Sequence, residues 1–296
     1  MASESRTTQF ASLHKVLKKH YKPVAADSQR SVLEHLLFAC TLEGAHYEPA
    51  EESFAGLVHT FFDWNEVRVT SIAELAEVMA SLPDPRRAAY RIKRVLHSLF
   101  EDNFTFDLES LRKQNLGPTI QWLEKLEGTD RFVVAYTVQA ALGGHAIALD
   151  DGTLQALLVV DLATEEEVAA GMVSGLERAI PKAKGIEFGS LLHQLGADFA
   201  ANPYSPKMRG ILLEVNPDCE RRFPKRRDAR KARSAAKKAA SAGSDSATAD
   251  DAAKSAPPAD SAAKAPPAAG KKKESKQDSA AESKSAADKL GKRKPR

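Results

Sequence analysis

Residues 123–160 read LEKLEGTDRFVVAYTVQAALGGHAIALDDGTLQALLVV. The stretch predicts a helix, a tight hairpin over residues 127–131, a second helix, a glycine stop, an acidic turn and a third helix. Glycine suits the hairpin because such a turn uses positive φ and lets another backbone come close. A helix that starts directly after the turn offers free N–H groups to an anion. Asp130 puts a negative charge beside that position, and Arg131 partly offsets it. Taken alone, Gly128 between two helices is also simply a turn. Gly143-Gly144 reads as a helix stop and not as a phosphate loop, because no strand precedes it.

Working outward, helical periodicity continues on both sides. Residues 6–20 form a basic amphipathic segment with Phe10, Leu13, Val16 and Leu17 on one face, and Pro23 ends it. Asp27 or Ser28 is expected to cap the next helix, whose apolar set is Val32, Leu33, Leu36, Leu37 and Cys40, with Gly44 as its stop. Residues 51–62 predict a third helix. Ser71 and Glu74 form a capping box, and so do Thr164 and Glu167, the latter opening a helix expected to run to residue 180. Pro85 fits a first helical turn, and residues 86–100 place Ala89, Ile92, Leu96 and Leu99 inward. Asp107 is expected to start a short helix, with Leu116-Gly117-Pro118 separating it from a helix over residues 119–126. Residues 187–201 predict the last long helix. Trp64 and Trp122 read as core anchors. Residues 146–149 are too short for a strand. The fold class is all-α, with about ten helices on short loops.

Charge divides the chain. Residues 226–296 carry 19 Lys+Arg and 9 Asp+Glu, whereas residues 1–225 carry 24 and 31, so the overall +3 hides an acidic body and a basic tail. The tail has no apolar periodicity and buries too little to offset ordering entropy, so it is expected to be disordered. Three segments follow: residues 1–27 as a basic N-terminal extension, 28–225 as a helical domain, and 226–296 as the Lys/Ala/Ser/Pro-rich tail. Lys271, Lys272, Lys273, Lys292, Arg293 and Lys294 are clustered enough to neutralise DNA phosphates without reading sequence. The alternative is a solubilising tail. The two cysteines, Cys40 and Cys219, fit a reducing compartment and exclude a disulfide framework. No signal-peptide core and no run of about 18 apolar residues is present, so no membrane span is expected. These features point to a cytoplasmic, nucleoid-associated monomer.

The order of elements resembles the endonuclease III-like superfamily of helix–hairpin–helix DNA glycosylases over residues 28–223. Leu123-Glu-Lys-Leu126-Glu-Gly128 resembles that family's hairpin entry, and Ala146-Ile-Ala-Leu149-Asp150 the apolar run before its catalytic aspartate. Asp150 follows Phe132 by 18 residues, the family's separation between catalytic lysine and aspartate. Leu191–Gly196 resembles the helix entering the family's cluster loop, and Asn216-Pro217-Asp218-Cys219 its far end. Residues 31–41 resemble the first core helix. The resemblance implies an all-α glycosylase fold, DNA as partner, and Gly128, Thr129 and Arg131 as DNA contacts.

The departures bear on chemistry. Phe132 stands where the lysine would be, so Schiff-base lyase chemistry is not expected. Cys40 stands where a DNA-probing glutamine would be. At best Cys219 survives of four cluster cysteines, so no iron–sulfur cluster is expected and no other cofactor or metal is implied. Asp150 alone carries over as a catalytic residue, for a monofunctional route in which a carboxylate stabilises a developing oxocarbenium ion and orients water. The plain alternative is that Asp150-Asp151-Gly152 is a turn and N-cap for the helix at Thr153. Adjacent carboxylates are also expected to raise one another's pKa. His193, on an apolar face, reads as a core histidine. The cluster Arg86, Arg87, Arg91, Lys93 and Arg94 suits either a phosphate backbone or a solvated helix face. Three functions remain open: a DNA-binding endonuclease III-like protein without lyase activity and with catalysis altered or lost, an active monofunctional DNA glycosylase using Asp150, and a helical interaction module.

Overall fold

Capping chemistry places most of the helix ends. In the computed structural model, which describes residues 5–224, α1 (Arg6–His20) starts where the Ser5 hydroxyl accepts from the Thr8 N–H. Then α2 (Val32–Leu42) opens with a capping box made by Ser31 and Glu34. Asp27, the expected cap, instead closes a local turn by accepting from the Gln29 N–H at 2.9 Å. Next, α3 (Tyr47–Thr60) begins ahead of the expected residue 51, because Pro49 is tolerated in a first turn. Then come α4 (Trp64–Val69) and α5 (Ile72–Val78), the latter opened by the expected box of Ser71 and Glu74. Pro85 is the first residue of α6 (Pro85–Asn103), capped by Asp84.

Asp107 leads only to a 3₁₀ turn (Glu109–Lys113). Gly117 and Pro118 do not break the chain as expected. They lie in the first turn of α7 (Leu116–Leu123), where the missing proline N–H has no partner to lose. The hairpin follows, then α8 (Arg131–Ala140), an extended run, and α9 (Asp151–Val159). The box of Thr164 and Glu167 opens α10 (Glu165–Ala170), but Gly171 turns left-handed at φ 67° and ends it, leaving α11 (Leu176–Ala179) as a separate turn. The long α12 (Lys182–Ala201), α13 (Pro206–Val215) and a 3₁₀ turn (Pro217–Arg222) complete the fold. The described residues are thus all-α, with more and shorter helices than periodicity alone suggests.

Two cores hold these elements. One is built on α2, α3, α5, α6 and α8, with Leu36, Leu37, Phe38, Leu75, Ile92 and Val133 among its buried residues. The other joins α1, α9, α12 and α13 through Phe10, Leu13, Leu157, Phe188, Leu192 and Leu212. Each such side chain contributes about 1.5–3 kcal/mol when fully buried. Phe10, Leu13, Val16 and Leu17 are all buried, so α1 packs into the second core. Trp64 and Trp122 pack half-buried against the first core. The extended run before α9 stitches the cores together: Ile147 and Leu149 lie in the second and Ala148 in the first, the alternation of an extended chain. Asp150 comes next, at the seam.

Candidate active centre and hairpin

Asp150 is the N-cap of α9. Its Oδ1 accepts from the Thr153 N–H at 2.8 Å, and its Oδ2 from the Gly44 N–H at 3.3 Å. The Nδ1 of His193, on α12, lies 3.3 Å from the same Oδ2. Both residues are buried, Asp150 at 3% and His193 at 2% exposure. Burial pushes the Asp150 carboxyl upward, but His193 and Thr153 outweigh it and hold the group below its ordinary value. The expected upward push from Asp151 is not what decides the matter, because Asp151 is exposed in the first turn of α9.

A glycine crossing makes this burial possible. A Cβ on Gly196 would lie 2.1 Å from the Thr153 hydroxyl and 2.8 Å from Asp150 Oδ1, and one on Gly152 would lie 2.3 Å from the Gly196 carbonyl oxygen. The two helices therefore touch backbone to backbone, and α12 lies directly over the carboxylate.

Aromatic rings close the other side. Phe132, in the first turn of α8, is 2% exposed, with its ring centroid 6.4 Å from Tyr136 and 5.5 Å from His193. Tyr47 meets the His193 ring edge-on at 5.2 Å. The segment between α1 and α2 crosses above, its Val24 N–H donating to Ser190 Oγ at 2.7 Å. Between Val24, Tyr47, Phe132 and His193 a cleft of about 20 Å³ remains. That is room for one water, whereas a cavity that holds benzene measures about 150 Å³. Cys40 is buried, and burial pushes its thiol up to about 12. It has no access to a DNA base. The chain's two cysteines, both buried, do not fit a four-thiolate cluster. Among the described residues no group of three or more His, Cys, Asp or Glu is placed to hold a metal ion.

The hairpin has the predicted helix–turn–helix course. Gly128 adopts φ 91°, and a Cβ there would lie 2.6 Å from the Arg91 carbonyl oxygen of α6. The Thr129 hydroxyl donates inward, 2.9 Å from the Leu123 carbonyl and 2.8 Å from that of Leu126. Asp130 caps α8. Arg131 is exposed, with one guanidinium nitrogen 3.5 Å from the Met172 sulfur. The α6 cluster is largely engaged: Arg87 and Arg91 pair with Glu43, Arg91 also with Asp130, Arg94 with Glu127, and Lys93 with the Thr70 carbonyl. Gly128, Thr129 and Arg131 thus sit together, while Asp150 is buried behind Phe132. Lys271, Lys272, Lys273, Lys292, Arg293 and Lys294 lie outside the described residues.

Sequence reasoning missed His193 as the partner of Asp150. Its only local signal was a histidine on an otherwise apolar helix face, which an ordinary core histidine also gives.

The arrangement shares its helical fold with endonuclease III. In particular, the chain is similar to endonuclease III as solved in a non-covalent complex with DNA, at TM-score 0.52 and 17% identity. It is also similar to endonuclease III in a trapped covalent intermediate with DNA, at TM-score 0.50 and 16% identity. Each comparison covers 75% of this chain and 100% of the other. No family model and no curated protein matches the sequence. Among the described residues no helix is long and apolar enough to cross a membrane.

Proposed function

We propose that the protein holds DNA without excising bases from it. On this reading it is a glycosylase-like body whose reaction centre has become a sealed structural element. The observation that carries the proposal is the environment of Asp150. An excising carboxylate must meet a nucleotide swung out of the duplex into a pocket of its own size. Asp150 is 3% exposed behind His193, and the cleft that His193 lines with Phe132 and Tyr47 is about 20 Å³ and does not reach the carboxylate. No lysine stands at Phe132 to form a Schiff base.

The DNA-binding half of the proposal draws on the fold and on the charge distribution. The tail would supply the affinity, because the 19 basic residues of 226–296 exceed its acidic ones by ten, and phosphate neutralisation releases counterions. Arg131 and Arg86, both exposed, would add contacts from the body. The protein would act as a cytoplasmic, nucleoid-associated monomer. The test is duplex binding by the full chain and by a chain ending at residue 225, over a range of salt. Removal of the tail should weaken binding sharply and flatten its salt dependence. Equal binding by both chains would remove the tether. In parallel, duplexes carrying damaged bases should release no base.

One observation favours a second reading, a monofunctional glycosylase. Asp150 is held ionised, as oxocarbenium stabilisation requires. That reading needs base release from lesion-bearing duplex, strand scission only after alkali, and loss of both in Asp150→Asn.

A further inference from the structure

We propose that Asp130 fills the anion seat of the hairpin from within, and that its ion pairs with α6 keep the hairpin from gripping a phosphate. The proposal rests on the DNA-binding reading above and deepens it. A tight turn with a left-handed glycine that feeds a helix start is ordinarily an anion seat, because N–H groups converge there. Here a carboxylate of the chain itself takes the seat. Asp130 Oδ1 accepts from the Val133 N–H at 2.9 Å, and Oδ2 lies 2.6 Å from the Arg91 guanidinium. Arg91 is shared with Glu43, beyond the end of α2, and Glu43 pairs in turn with Arg87 at 2.7 Å. Arg87, Glu43, Arg91 and Asp130 thus form a ladder of alternating charge that ends at the first turn of α8.

The middle of the ladder is shielded, while Arg87 and Asp130 at its ends are 50% and 33% exposed. The side chains of Glu43 and Arg91 are 9% and 14% exposed, so salt screens their attraction less than it would on an open surface. Gly128 presses the turn against the Arg91 backbone, and Arg94 with Glu127 clamps its other side. A phosphate approaching α8 would meet the Asp130 charge and would have to displace a partly buried ion pair. The positive charge of the face is also reduced: against Arg86, Arg87, Arg91, Lys93, Arg94 and Arg131 stand Glu43, Glu127 and Asp130.

The experiment compares the full chain with Asp130→Asn, which keeps a capping oxygen but removes the charge, and with Asp130→Gly, which removes both. Anisotropy of a labelled 20-base-pair duplex is read over a salt series, with circular dichroism to verify folding. The proposal expects Asp130→Asn to bind about fivefold tighter at low salt, the worth of one exposed charge contact. The slope of log K against log salt should steepen by about 0.9, one added phosphate. Asp130→Gly should behave alike wherever it folds. Binding by the native chain with no gain in a folded Asp130→Asn overturns this proposal alone. An equal gain in Glu165→Gln, an exposed carboxylate on α10, overturns it too, since bulk charge would then be the cause. Absence of binding by every chain overturns both this proposal and the DNA-binding reading.

Discussion

His193 presents both ring nitrogens to oxygen: Nδ1 lies 3.3 Å from Asp150 Oδ2, and Nε2 lies 2.9 Å from the Ala45 carbonyl. A carbonyl only accepts, so Nε2 must carry a hydrogen. Because both groups are buried, their contact joins the start of α9 to α12 at the seam of the two cores.

Removing either partner should cost far more than a surface pair does. Asp150→Ala uncaps α9 and leaves the partly buried Gly44 N–H without its acceptor, an expected loss of about 2–3 kcal/mol by urea unfolding. The pH dependence has a definite sign. The folded carboxyl lies below its unfolded value of about 4, so its contribution is present above that pH and is lost as pH falls through the lower folded value. The urea midpoint of the native chain should therefore drop more steeply below about pH 4 than that of Asp150→Asn. Parallel curves would show that Asp150 is not held ionised.

The crossing above the pair tolerates no added carbon. Gly196→Ala would put a methyl 2.1 Å from the Thr153 hydroxyl and 2.7 Å from the Thr153 nitrogen, atoms of the first turn of α9 that cannot swing away. Overpacking of this kind costs about 3 kcal/mol. It should also raise exchange of the Thr153 amide, whose N–H is bonded to Asp150. Exchange at the native rate would mean that the helices separate without disturbing the cap.

The difference between what sequence predicts and what it conceals follows the range of the interactions. The boxes at Ser71 and Thr164 are legible because a hydroxyl and a carboxylate three residues apart complete them locally. Gly128 is legible for the same reason. The cap of α2 is Ser31, with Glu34 three residues on, and not Asp27 or Ser28, which are capping residues by type but lie one turn too early. Gly171 ends α10 inside a segment whose helical apolar pattern continues to Leu176, so the break is not legible from periodicity. The partners of Asp150 are Gly44, His193 and Gly196, all far away in sequence, and only the meeting of α9 with α12 brings them together. The same holds for the α6 arginines, whose spacing reads as a basic face until Glu43, Glu127 and Asp130 fold against it.

Arg6 ties α1 to the capping box of α10 and gives a second acid-sensitive contact. Its guanidinium, helped by the N–H groups of Ser174 and Thr164, holds Glu167 down at about 2 against the upward push of partial burial. That stabilisation is present above about pH 4.5 and fades as pH falls toward 2. Arg6→Ala should let Glu167 titrate in the ordinary carboxylate range by NMR. The stability loss should be only about 1 kcal/mol, because Arg6 is 37% exposed and the pair is screened. An unmoved Glu167 would assign its low value to the two amides instead.

Phe132→Ala separates a blocked centre from a dismantled one. Truncating this ring should cost about 3–5 kcal/mol and open space between Tyr136 and His193, joined to the existing cleft. If the walls hold, benzene or indole should raise the unfolding midpoint of the variant in a concentration-dependent way and leave the native chain unmoved. If the walls collapse, neither chain responds. In the first case a flat ring reaches the imidazole of His193, with Asp150 ionised behind it. The variant can then be assayed on lesion-bearing duplex. Base release there, lost again in Phe132→Ala with Asp150→Asn, would mean that the side chain at 132 alone silences the centre. Ring binding without base release would mean that His193, by occupying the inner face of the carboxylate, has made Asp150 a structural residue.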